Sequence, residues 1–92
     1  MDNDKLSLVA RSKNRRKIIF VLESNKMPSQ LKKELKLEDS NVARALRELQ
    51  KAGLIRCITG SAKMGRIYQL TNEGREIRKE LIAMNLQNNI AQ

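Results

Sequence analysis

The chain contains no histidine, no tryptophan, a single cysteine and a single proline, and its only aromatic residues are Phe20 and Tyr68. Each shortage excludes something. With Cys57 alone and no histidine, one protomer cannot assemble a thiolate or imidazole metal site. No disulfide can form within the chain, and a reducing, cytoplasmic setting is expected. No cofactor is expected either. There is no histidine base, no glycine-rich phosphate loop and no carboxylate pair set in an apolar cleft, so the chain does not read as an enzyme. Glu38 and Asp39 are adjacent but read as acids at a helix start. The longest apolar run, Ile18 to Leu22, falls far short of the ~20 residues of a membrane span. The acidic start Met1-Asp2-Asn3-Asp4 is unlike a secretion signal. So few aromatics leave little for stacking on single-stranded bases. The core must come from Leu, Ile, Val, Ala and Met, which favours packed helices over a large β-sandwich.

What is abundant is positive charge. The 92 residues carry 19 Lys and Arg against 10 Asp and Glu, a formal net charge of +9. Such a surplus favours polyanionic partners, nucleic acid first and acidic membrane surfaces second. It is also unevenly spread. Arg11, Lys13, Arg15, Arg16 and Lys17 form a purely basic stretch, and from Leu54 to Leu70 the charges are Arg56, Lys63 and Arg66 with no acid. After Thr71 the signs balance, Glu73, Glu76 and Glu80 against Arg75, Arg78 and Lys79. Charge kept only for solubility has no reason to partition this way.

The length fits one domain spanning 1–92. Leu6 to Glu23 reads as helix with a break at Ser12, whose hydroxyl can cap a segment starting at Lys13. Pro28 suits the first turn of a second helix running to about Leu35. A short turn of about Lys36 to Asp39 follows. From Asn41 to Ala52, Val42, Leu46 and Leu49 recur at i, i+4 and i+7, a one-sided apolar face, and Gly53 is the stop. Leu54 to Thr59 and Arg66 to Leu70 read as a β-hairpin around residues 60–65. Thr71 or Asn72 can cap a last helix striped by Ile77, Leu81 and Met84. The expected order is helix, helix, helix, hairpin, helix: mainly α with a small β-hairpin, an α+β class.

Two helices joined by so tight a turn have the layout of a DNA-binding helix-turn-helix, whose second helix enters the major groove. On that helix, 40–52, the outward positions include Ser40, Asn41, Ala43, Arg44, Arg47, Gln50 and Lys51. Arginine can pair bidentately with guanine and asparagine with adenine. Asn41 reads either as a cap or as a base contact. Ser29 and Gln30 open the preceding helix, where they either cap it or meet the DNA backbone. Lys63 and Arg66 in the hairpin are expected to meet phosphates or the minor groove. Arg15, Arg16, Lys32 and Lys33 are expected to steer the backbone. Cys57 reads as a small core residue and Tyr68 as packing for the hairpin.

Five segments, Lys13 to Ile19, Pro28 to Leu31, Asn41 to Leu49, Gly53 to Ile55 and Gly65 to Arg75, resemble the ArsR/MarR-type winged helix-turn-helix transcriptional regulators, most closely short archaeal members. The resemblance covers about residues 12 to 78. It implies a three-helix core, a β-wing over about 56–68, a recognition helix at Ser40–Ala52 and a homodimer on double-stranded DNA. One departure stands out: the family usually has glycine in the inter-helix turn where this chain has Lys36, and a left-handed lysine would cost about 1 kcal/mol.

The terminal helical segments, 6–11 and 72–86, carry Leu6, Leu8, Val9, Ile77, Leu81 and Met84. These either close the monomer core or form a dimer seam, and the seam is the preferred expectation. Two other functions fit the same charges or fold: a non-specific architectural or RNA-associated binder, and a winged helix used as a protein–protein module.

Overall fold

A computed structural model describes residues 3–59 and 65–91, with side chains over 4–59 and 65–84. The order is α1 (Asn3–Ala10), α2 (Lys13–Val21), α3 (Pro28–Leu35), α4 (Asp39–Lys51), β1 (Ile55–Cys57), β2 (Tyr68–Leu70) and α5 (Asn72–Ala91). No helix among the described residues is long and apolar enough to cross a membrane.

Local chemistry explains most boundaries. Ser12 caps α2, its hydroxyl accepting from the Arg15 amide at 3.3 Å. Pro28 opens α3, and Gln30 Oε1 accepts from the Met27 amide at 2.8 Å. At α4, Glu38 holds the cap position without a side-chain bond, and the helix starts at Asp39. Gly53, at φ +79°, lets the Leu54 amide reach the Leu49 carbonyl and its own amide reach that of Gln50, closing α4 in a Schellman turn. Thr71 caps α5. Its Oγ1 accepts from the Gly74 amide at 3.1 Å and donates to the Gly53 carbonyl at 2.6 Å, which fastens the start of α5 to the end of α4.

The strands pair antiparallel, Ile55 with Leu70, Arg56 with Gln69 and Cys57 with Tyr68. A third segment joins them that the sequence reading missed. Lys26 and Tyr68 exchange both backbone bonds, at 3.2 and 2.8 Å, so the loop before α3 backs the wing. Residues 60–64, and with them Lys63, lie outside the described residues.

One core runs through all elements. Ile18, Ile19, Leu31, Leu49, Leu54, Ile55 and Ile77 are almost fully buried. The apolar stripe of α4 faces inward as its periodicity requires, with Val42, Ala45, Leu46 and Leu49 buried.

Here three of the six residues expected at a dimer seam are corrected. Val9, Ile77 and Leu81 are 0%, 1% and 4% exposed within the single chain. α1 and α5 both pack on α2, so these three side chains complete the monomer core. Leu6 and Leu8 are half-buried, and Met84 remains 42% exposed.

Candidate nucleic-acid interface

The α3–α4 turn is the geometric key to the site. Lys36 is left-handed, φ 55° and ψ 50°, the only non-glycine residue with positive φ among the described residues. The Leu37 amide then reaches back to the Lys32 carbonyl at 3.1 Å, and Leu37 packs against the core. The chain thus reverses within three residues and sets α4 across α3. The strain costs about 1–2 kcal/mol, offset by that hydrogen bond and the Leu37 contact.

With the apolar side of α4 buried, the opposite side is committed to solvent. Ser40, Ala43, Arg44, Arg47, Gln50 and Lys51 are exposed, and Asn41 is half-buried. The nearby acids are paired with other cations: Glu48 with Arg15 at 2.8 Å and Asp39 with Lys32 at 3.1 Å. Arg44, Arg47 and Lys51 have no carboxylate partner among the described residues. Three cations on one helix face thus stand without an internal ion pair.

Two depressions flank this face. On the α3 and wing side an open groove of about 520 Å³ is bordered by Ser29, Lys32, Ala43, Arg47, Gln50 and Arg66. On the α2 side a small polar cleft of about 210 Å³ is lined by residues that include Ser12, Asn14, Asn41 and Arg44. Five of the residues expected at the site, Ser29, Lys32, Ala43, Arg47 and Arg66, are thus gathered at one groove. Asn14 was not expected; it lines one cleft with Arg44 only because α2 packs on α4, for which the sequence holds no local sign. Gln30 and Lys33 are exposed on α3 but outside the groove lining, and Gln30 serves as the cap described above.

Arg15 and Arg16 are placed differently from expectation. Arg15, 13% exposed at its side chain, donates to the Leu8 carbonyl and to Glu48, both at 2.8 Å. Arg16 donates to the Ala10 carbonyl. Both guanidinium groups thus satisfy carbonyls in the last turn of α1, which would otherwise lack partners. They join α1, α2 and α4 rather than stand free for phosphate.

Tyr68 is buried, in line with wing packing and not base stacking. Cys57 is half-buried, its Sγ 3.3 Å from Thr59 Oγ1. That hydroxyl, the Thr59 backbone and the nearby Arg66 charge hold the thiol below its ordinary range, against the opposing effect of burial. No cluster of three or more His, Cys, Asp or Glu suited to a metal occurs among the described residues.

Comparison with known proteins places this arrangement. No curated protein matches the sequence. Among solved structures, a MarR family transcription regulator superposes over 96% of this chain and 60% of its own, with a TM-score of 0.80 and 23% identity. A MarR family regulator from Neisseria meningitidis gives a TM-score of 0.75 at 18% identity, over 92% of this chain and 64% of that one. A mutant MarR from E. coli, solved in complex with operator DNA, gives 0.68 at 23% identity, over 85% of this chain and 58% of that one. The chain spans about three fifths of the first of these, and at such identities the likeness concerns the fold, which is the MarR-type winged helix. The family model described as "Methanogenesis regulatory protein FilR1, N-terminal domain" matches residues 3–91. The helix-turn-helix, the wing and this match over nearly the whole length together make the chain a member of the FilR1 N-terminal domain family, a regulatory family with the MarR-type winged-helix fold.

Proposed function

We propose that this chain is a transcriptional regulator acting in the cytoplasm, which binds double-stranded DNA with sequence preference. In this reading α4 enters the major groove, with Ser40, Asn41, Ala43, Arg44, Arg47 and Lys51 toward the duplex. Ser29 at the start of α3 meets the backbone, as do Lys32 and Lys33. The wing, through Arg66 and Lys63, follows the backbone or minor groove. The observation that carries the reading is the set of exposed cations Arg44, Arg47 and Lys51 on the second helix of the motif, none of them in an ion pair among the described residues. Membership in a regulatory family and the operator-bound relative of the same fold support it.

The chain acts as a homodimer in this proposal, so that two α4 helices lie about one DNA turn apart. Its seam uses what the monomer core leaves over, namely Met84 with the half-buried Leu6 and Leu8.

The test is an R44A/R47A double variant measured by fluorescence anisotropy on a duplex selected from a random pool. Bidentate arginine–base pairs contribute roughly 1–3 kcal/mol each. The variant should lose at least about tenfold in preference over random duplex and keep its fold by circular dichroism. Unchanged preference removes α4 as the reader. A wild-type protein that binds all duplexes alike would establish the architectural alternative instead.

A further inference from the structure

The groove beside α4 holds one acid among its cations. Asp39 borders it together with Lys32, Arg47 and Arg66. Its side chain is 83% exposed, and Lys32 Nζ on the neighbouring helix lies 3.1 Å from one carboxylate oxygen. Asp39 is the first residue of α4 and shares a stripe with Ala43 and Arg47 at four-residue spacing. It therefore stands at the leading tip of the helix read above as entering the major groove.

A carboxylate there has few tolerable neighbours on a duplex. Against phosphate it is repelled. Against guanine O6 and N7 or thymine O4 it faces acceptors, and an ionised carboxylate has no proton to give. Only the exocyclic amines, cytosine N4 and adenine N6, present donors in the major groove, and cytosine N4 is the usual partner of an acidic side chain. Lys32 holds the carboxylate on the groove side, and Ala43, next along the stripe, presents only a methyl group. Eight residues separate Asp39 from Arg47, about 12 Å at 1.5 Å per residue. That equals roughly three to four base pairs at the ~3.4 Å rise of duplex DNA. The two side chains accordingly address different base pairs.

We propose that Asp39 is a specificity-determining residue: held by Lys32, it accepts a hydrogen bond from the exocyclic amine of one base, cytosine by preference, and rejects guanine and thymine at that position. The inference rests on the DNA-binding reading of α4. A different role, favourable charge at a helix N-terminus, would affect folding but would not select a base.

The experiment is selection from a random duplex pool with the wild-type chain, Asp39→Asn and Asp39→Ala at matched salt, with circular dichroism on each. The wild type should enrich cytosine at one position of its site. Asp39→Ala should lose that preference by on the order of tenfold at that position alone, while its affinity for random duplex rises because a charge repelling phosphate is gone. Asp39→Asn should move the preference toward adenine, which an amide can pair bidentately. Unaltered base profiles in both variants overturn the proposal, as does a uniform loss at every position. A wild type that enriches no sequence overturns the reading of α4 itself; a wild type that enriches a site both variants share overturns only the role of Asp39.

Discussion

Replacing Gly74 by alanine tests the tertiary structure against helix propensity, because the two predict opposite signs. Gly74 lies in the first turn of α5 at a φ that alanine adopts readily. By propensity alone, alanine in a helix is favoured by about 1 kcal/mol. Yet a Cβ built there would sit 2.0 Å from the Leu54 carbonyl oxygen and 3.1 Å from Leu70 Cδ2. A carbon–oxygen contact needs roughly 3.3 Å or more, so something must move by over an ångström. Leu54 cannot give way easily, since its side chain is fully buried and its carbonyl accepts the Thr71 amide at 3.0 Å. The start of α5 must shift instead, which loosens the Thr71 bond to the Gly53 carbonyl and the Lys5–Glu73 pair. Overpacking of about 2 kcal/mol and a lost hydrogen bond of about 1 kcal/mol outweigh the propensity gain. The net loss is about 2 kcal/mol, or a Tm lower by roughly 8–16 °C for a domain of this size. Thermal and urea unfolding followed at 222 nm provide the assay. Gly53→Ala is the control: its new Cβ would meet nothing nearer than 3.8 Å, and only the φ of +79° penalises it, by about 1 kcal/mol. A Gly74→Ala protein as stable as the wild type, or more so, would refute the packing of α5 on the Leu54 carbonyl.

Three further outcomes are expected. Lys36→Gly relieves the left-handed strain at φ 55° at some cost in unfolded-chain entropy, so it should raise stability by about 0.5–1 kcal/mol in a urea melt; a loss would contradict that conformation. Arg15→Ala should destabilise the chain by about 2 kcal/mol, and a cycle with Glu48→Ala should show coupling of no more than about 1 kcal/mol because Glu48 is 42% exposed. Its salt slope for duplex binding should stay unchanged, whereas a slope reduced by about one would mean that Arg15 reaches phosphate. Cys57, its thiol lowered first by the Thr59 hydroxyl, should be alkylated by iodoacetamide with an inflection at lower pH than in the unfolded chain, and Thr59→Ala should move that inflection up. Because the folded value is the depressed one, the thiolate's contribution to stability is present above the unfolded value and fades as pH falls through the folded one.

Much of the architecture was legible in sequence because it rests on short-range signals. The i, i+4, i+7 spacing of Val42, Leu46 and Leu49, the hydroxyl of Ser12, the ring of Pro28 and the flexibility of Gly53 each act within a turn or two of chain. So does the hairpin, apart from its third segment at Lys26, a single bridged residue with no strand pattern around it. α4 starts at Asp39, two residues before the expected start at about Asn41, because its cap residue Glu38 makes no side-chain bond that would mark the boundary locally. The terminal stripes were ambiguous for a different reason: Val9, Ile77 and Leu81 have the spacing of an apolar helix face whether that face meets α2 or a second chain.

By itself the sequence determined the helix order, the inward face of α4 and the uneven charge, since periodicity and composition are properties of the chain alone. The tertiary structure decided which charges are free. In the sequence Arg15 and Arg16 are equal to Arg44 and Arg47; in the fold the first pair is bound to Leu8, Ala10 and Glu48 while the second faces solvent. Ion pairs such as Arg15–Glu48 and Lys5–Glu73 join residues 33 and 68 positions apart. No local pattern carries information over such separations, because only chain packing brings those groups within hydrogen-bonding distance.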